Sequence, residues 1–169
     1  MKRIQFKPFL IDRIIEGKKT ETRRLVKNKT KPSYEVGEII YIGEKLVKNC
    51  NNGVSFEDGK SITNAVWKWK NNTLSPMFMP EKYARLFLRI TDINIGWLQD
   101  LTENDAVAEG MPNRIEAQKM AIAAKIGWYD APIKWFCGVW NEINGKDEYN
   151  KWDANPLVFV YKFEVVERP

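Results

Sequence analysis

Polar and apolar residues alternate through Lys2-Arg3-Ile4-Gln5-Phe6, which predicts a short strand near the start of the chain. Pro8 opens a predicted helix with Phe9, Leu10, Ile14 and Ile15 on its buried side, and Gly17 is placed to end it. Val36-Gly37 turns into a strand over residues 38–43. Residues 48–75 carry the turn signals Asn51-Asn52-Gly53, Asp58-Gly59 and Asn71-Asn72 around Val54-Ser55-Phe56 and Ala65-Val66-Trp67-Lys68-Trp69. That pattern fits one or two short hairpins or a β excursion from the main sheet. Between residues 83 and 95, Ala84, Leu86, Leu88 and Ile90 alternate with Arg85, Phe87, Arg89 and Thr91, the mark of a strand with one buried face.

The period then changes to helical. Thr102 and Asp105 have capping-box spacing, with Asp in place of Glu, and lead a short helix that ends at Gly110. Residues 112–126 are alanine-rich and helical. Residues 132–143 form another predicted helix, with Trp135, Phe136, Val139 and Trp140 spaced to cover one face as core. The run from Leu157 to Val166 reads as a long, mostly buried strand. Strands at both ends with helices grouped between them predict an α+β domain on a closed or nearly closed barrel, its terminal strands paired. With 169 residues and no linker or repeat, the chain fits one domain over residues 1–169.

Composition narrows the chemistry. The chain has no histidine, so it lacks the commonest metal ligand and the commonest general base. A metalloenzyme and a Ser-His hydrolase are not expected, and neither a metal nor a cofactor is implied. Cys50 and Cys137 match no metal or redox spacing and read as unlinked thiols in a reducing compartment. The first residues lack the apolar core of a signal peptide and no long apolar run is present, so the expectation is a cytoplasmic protein without a membrane partner.

Charge is unevenly placed. Residues 18–31 hold Lys18, Lys19, Arg23, Arg24, Lys27, Lys29 and Lys31 against one acid, Glu21, while the rest has twenty cations against twenty-one acids. All the excess charge behind the net +5 therefore sits in one short stretch. Such a patch suits a polyanion such as RNA, and equally a solvated loop.

The segment Gly17-Lys18-Lys19-Thr20-Glu21-Thr22-Arg23-Arg24 after an N-terminal helix resembles the signature of ASCH-domain proteins. Val36-Gly37-Glu38-Ile39-Ile40-Tyr41-Ile42 is similar to that family's glycine-acid strand, here with Glu for Asp. Met79-Pro80, Ile90-Thr91-Asp92-Ile93, the stretch from Leu98 to Met111 and Trp152-Asp153-Ala154-Asn155-Pro156 resemble the longer ASCH proteins of bacteriophages and prophages. The resemblance spans nearly the whole chain in order. It implies a PUA-like small β-barrel with flanking helices and a cleft beside the basic loop, in a group whose barrels bind RNA or modified bases. One bacterial branch is an amidohydrolase acting on N4-acetylcytidine, and its Lys, Thr and Glu fall on Lys19, Thr22 and Glu109. The greater length, the insertion at 48–75 and the extra C-terminal helices depart from that branch.

A histidine-free amidohydrolase would use the Thr22 hydroxyl as nucleophile, Lys19 as base and Glu109 to position water or protonate the leaving amine. A regular strand over residues 18–24 would point Lys19 and Thr22 to opposite faces, so a shared site requires a turn or bulge there. For nucleic-acid binding the candidates are Lys18, Arg23, Arg24 and Lys27 on phosphates, with Trp67, Trp69 and Trp152 as stacking surfaces. Lys19 and Arg23 also fit simple phosphate contacts, Thr22 an ordinary strand residue, Glu109 a solvated helix end and the tryptophans core. The functional expectation is binding of RNA or a modified nucleoside, with amidohydrolase activity as the alternative. A mobile-element protein working through a host partner is the third reading.

Overall fold

The computed structural model describes residues 1–26 and 31–169; Lys27 of the basic segment lies outside the described residues. β1 (Arg3–Gln5) leads into α1 (Pro8–Ile15), and β2 (Glu21–Leu25) follows. Pro8 starts α1 and Gly17, at φ +71°, ends it. The buried face of α1 is Leu10, Ile11 and Ile14, whereas Phe9 and Ile15, expected inside, are exposed. At 100° per residue, Ile11 shares the stripe of Ile14, and Phe9 and Ile15 fall off it.

β3 (Ile39–Gly43), β8 (Phe87–Trp97) and β9 (Leu157–Val166) complete a sheet in the order β1-β3-β8-β9-β2. β1 runs parallel to β3, and the other pairs are antiparallel. The strand predicted from residue 83 begins later, at Phe87. Phe87 and Leu88 are both buried, because the sheet is covered on both faces at that point. One face holds Ile4, Ile40, Ile42, Leu88, Ile90, Phe159 and Tyr161 around Ile11 and Ile14 of α1. Full burial of such side chains contributes about 1.5–3 kcal/mol each before entropic costs.

Residues 46–74 form a second sheet from β4 (Leu46–Lys48), β5 (Gly53–Phe56), β6 (Ser61–Val66) and β7 (Thr73–Leu74), ordered β6-β5-β4-β7. This is the excursion the turn signals predicted. Its core is Leu46, Val54, Phe56 and Trp67, packed on Tyr41, Met79 and Phe87. Arg85 fastens it to the first sheet, binding Glu44 through two nitrogens at 2.9 and 2.6 Å and lying 4.0 Å over the Phe56 ring.

α2 (Glu103–Ala108) begins with the Thr102–Asp105 capping box read in the sequence. α3 (Arg114–Ala123) and α4 (Pro132–Asn144) follow. α4 buries Phe136 and Trp140 against Leu10, Leu98, Met111 and Val158 on the outer side of β9, with Trp135 and Val139 half-buried at the margin. Among the described residues, no helix is long and apolar enough to cross a membrane.

The α+β class holds, but the sheet does not close into a barrel. The terminal strands do not pair with each other; β1 and β2 are its two edges. Side chains bridge the seam instead of a strand ladder. Arg24 of β2 donates to the Gln5 carbonyl of β1 at 2.7 Å. The segment before β3 contributes the Tyr34 hydroxyl to the Arg3 carbonyl at 3.0 Å, and the Ser33 N–H to the Tyr161 hydroxyl at 2.9 Å. A three-residue β1, already paired to β3, has no second strand partner among the described residues at this edge.

Candidate functional site

The open seam between β1 and β2 becomes a cleft of about 710 Å³. Its walls come from β1 and the turn after it, from β2, from Tyr34 and Lys31, from β9 and from α4. Thr22 and Arg24 share one face of β2, opposite Tyr161 and Phe159 of β9. Phe6, Tyr34, Phe136, Trp140, Phe159 and Tyr161 contribute aromatic rings to the wall.

Lys19 lies before β2 begins, in the turn after α1, so the two-residue strand period does not apply to it. Its ammonium is buried and donates to the Glu21 carbonyl at 2.7 Å, the Glu109 carbonyl at 2.8 Å and the Glu109 carboxylate at 2.7 Å. All three protons have acceptors. Burial pulls the Lys19 pKa below its ordinary value, and the Glu109 carboxylate opposes that shift.

Glu109 reaches the site because α2 stops at Gly110, whose φ of +97° favours glycine. A Cβ at Gly110 would sit 3.2 to 3.3 Å from Arg13, Leu10 and Lys19. The second Glu109 oxygen accepts from the Arg23 N–H at 2.6 Å and the Arg23 guanidinium at 3.3 Å. Arg23, buried, also donates to Glu21 at 2.5 Å and lies 3.6 Å from Asp105. Burial raises the Glu21 pKa, with Arg23 acting against it. Burial also works to raise Asp105, yet hydrogen bonds from Thr102 and the charge of Arg23 hold it below its ordinary value.

The structure therefore divides the sequence candidates. Thr22, Arg23, Arg24 and Glu109 line the cleft, and Lys19 sits behind its wall, 5.4 Å from the Phe6 ring centre. Lys18 points elsewhere, to Glu116 at 2.6 Å and Glu16 at 3.0 Å. Arg23 is a structural cation rather than a free phosphate contact. Arg24 is different: half-buried, 5.2 Å from the Phe6 ring centre, and paired with no carboxylate among the described residues. Desolvation pushes its pKa down from the ordinary guanidinium value. Lys31 lines the same cleft, also without a carboxylate partner among the described residues, whereas the Arg3 guanidinium donates to the Tyr41 hydroxyl and the Met79 carbonyl, both at 3.5 Å.

None of the three tryptophans proposed for stacking lines the cleft. Trp67 is core in the second sheet, its indole N–H donating to the Trp69 and Asn71 carbonyls, both at 2.9 Å. Trp69 packs edge-on against Trp67 and Tyr83, and Trp152 against Phe136. Each has a packing role that alternating strand or helix spacing does not distinguish from exposure. The aromatic wall that sequence reasoning passed over is signalled only by odd-numbered Phe159 and Tyr161 in the last strand, facing Arg24 and Thr22. Trp140, read as core, is buried and also lines the cleft.

Neither a protein-family model nor a curated protein sequence matches the chain. Two solved structures are similar over nearly all of it. One is the protein EF3133 from Enterococcus faecalis V583, described with family model DUF984. It has a TM-score of 0.52 and 14% identity, covering 98% of this chain and 80% of that one. The chain shares the EF3133 fold. The other is an ASCH domain from Lactobacillus crispatus JV V101, with a TM-score of 0.46 and 14% identity over 97% of this chain and 78% of that one. ASCH is the family that the sequence motifs resemble.

The shared carboxylate yields a stability prediction. Glu109→Ala strands two buried cations and is expected to cost about 3–5 kcal/mol in urea unfolding. Adding Lys19→Met to it should restore part of that loss. Simple additivity of the two changes would contradict the pairing.

Proposed function

We propose that this chain is an ASCH-type domain that binds RNA or a modified nucleotide in the β1–β2 cleft. The observation that carries this reading is Arg24, a desolvated cation on an aromatic-lined cleft with no carboxylate partner among the described residues. Lys18, Lys19 and Arg23 of the same basic segment are matched by Glu116, Glu109 and Glu21. A phosphate would supply the counter-charge that Arg24 lacks, in a geometry suited to a guanidinium. The rings around it offer flat apolar surface to a base.

Binding of cytidine 5′-monophosphate and of cytidine, followed by calorimetry, tests this. The nucleotide should bind more tightly than the nucleoside, and Arg24→Ala should weaken the nucleotide roughly 10- to 100-fold. Affinity for a short RNA should fall with salt, the slope diminishing by about one in the variant. Equal nucleotide affinity in parent and Arg24→Ala would overturn the assignment.

A second reading, hydrolysis of an acylated nucleoside such as N4-acetylcytidine, is favoured by one observation. Thr22 and Glu109 line the same cleft, and Lys19 is 2.7 Å from Glu109. Lys19 can act as base only after losing a proton and one of its three hydrogen bonds. On this reading, release of acetate rises with pH toward the lowered Lys19 pKa and is lost in Lys19→Ala and Thr22→Ala. A purified parent protein that releases no acetate at high concentration would contradict it.

A further inference from the structure

The sheet face that carries Arg24 continues beyond the cleft. Directly opposed residues of antiparallel strands point to the same side. Thr22, Tyr161 and Ile93 form one such row, and Arg24, Phe159 and Ile95 the next. Leu157 and Trp97 form a third row, beside Val26, whose N–H donates to the Leu157 carbonyl. The first row belongs to the core and the cleft. Farther out the face comes into the open, with Ile95 57% and Trp97 55% exposed.

β3 opposes β8 only at Phe87, Leu88 and Arg89, so this outer part of β8 has β9 on one side alone among the described residues. None of the aromatic pairs among the described residues includes Trp97. One exposed tryptophan is ordinary on a protein surface. This one stands on the same face as an unpaired guanidinium. The backbones of Arg24 and Trp97 lie two strands, about 10 Å, and two residues, about 7 Å, apart.

We infer that Trp97, with Ile95 beside it, is a stacking platform for a second nucleotide, and that the occupant of the site is a single-stranded RNA. This rests on the cleft reading proposed above and names its ligand class. Arg24 holds a phosphate at the cleft mouth, and the strand leaves along the sheet face so that a neighbouring base lies flat on the indole. Charge selects a polyanion over a protein segment, because Arg24 and Lys31 line the cleft without carboxylate partners among the described residues. The Thr22 hydroxyl, at the cleft wall and without a hydrogen bond among the described residues, is available to a ribose 2′-hydroxyl.

The test compares cytidine 5′-monophosphate with a ribotetranucleotide of cytidine, using the intact chain and the variants Trp97→Ala, Trp97→Phe and Arg24→Ala. The parent should prefer the tetranucleotide. Trp97→Ala should weaken the tetranucleotide about tenfold and leave the mononucleotide unchanged, with Trp97→Phe recovering most of the loss. Arg24→Ala should weaken both ligands. A tetranucleotide affinity unmoved by Trp97→Ala but lowered by Arg24→Ala would overturn the platform and leave the cleft reading standing. Loss of neither ligand in Arg24→Ala would instead remove the cleft reading, and the platform with it. A deoxyribotetranucleotide bound as tightly as the ribose form would overturn RNA as the occupant.

Discussion

Glu109 accepts on both carboxylate oxygens from groups that sit across a helix–strand boundary. One oxygen takes the Lys19 ammonium, and the other takes the backbone and side chain of Arg23. The end of α2 is thereby tied to the turn after α1 and to Arg23 in the middle of β2. All of these groups are buried, so none can exchange its partner for water. The ion cluster is costly to assemble and more costly to break, since removal of one member strands the others. Gly110 is the backbone condition for it, turning the chain at the point where a side chain would press on Lys19.

From that fixed point the electrostatics of the site follow. β2 alternates, so once Arg23 is turned toward Glu109 and Glu21, Thr22 and Arg24 must face the other way. That face opens on the seam where β1 and β2 fail to pair. Strand geometry thus separates Arg23, which has carboxylate partners, from Arg24, which has none among the described residues. The seam needs a bridge for its exposed edges, and Arg24 supplies it with one hydrogen bond to Gln5. No carboxylate among the described residues pairs with Arg24. An edge left open by a short β1 and a cation without a carboxylate partner among the described residues occur at the same place.

Much of the fold was legible because it rests on local signals. Pro8 and Gly17 bound α1, the Thr102–Asp105 spacing caps α2, and the apolar run from Leu157 is β9. The turn signals at Asn51 to Gly53 and Asp58-Gly59 placed the second sheet. Closure of a barrel was not legible, because it depends on which edges meet, and β1 met β3 in parallel. At the site, a resemblance grouped Lys19, Thr22 and Glu109 but not their relations: Lys19 binds Glu109 behind the wall that Thr22 lines. Glu21, the lone acid of the basic stretch, looked incidental and is a buried partner of Arg23. Trp67, Trp69 and Trp152 looked available for stacking and are engaged in packing, since an aromatic residue in a short strand or a turn carries no mark of which side it takes. Trp97 carried no signal at all until the β8–β9 register placed it on the same face as Arg24.

On the reading proposed above, Arg24 is held ready for a phosphate. A crystal structure of the protein with cytidine 5′-monophosphate bound tests it most directly. The phosphate should lie within hydrogen-bond distance of the Arg24 guanidinium, with the base against the aromatic wall of the cleft. A nucleotide bound elsewhere, with Arg24 still bonded to Gln5 alone, would contradict it.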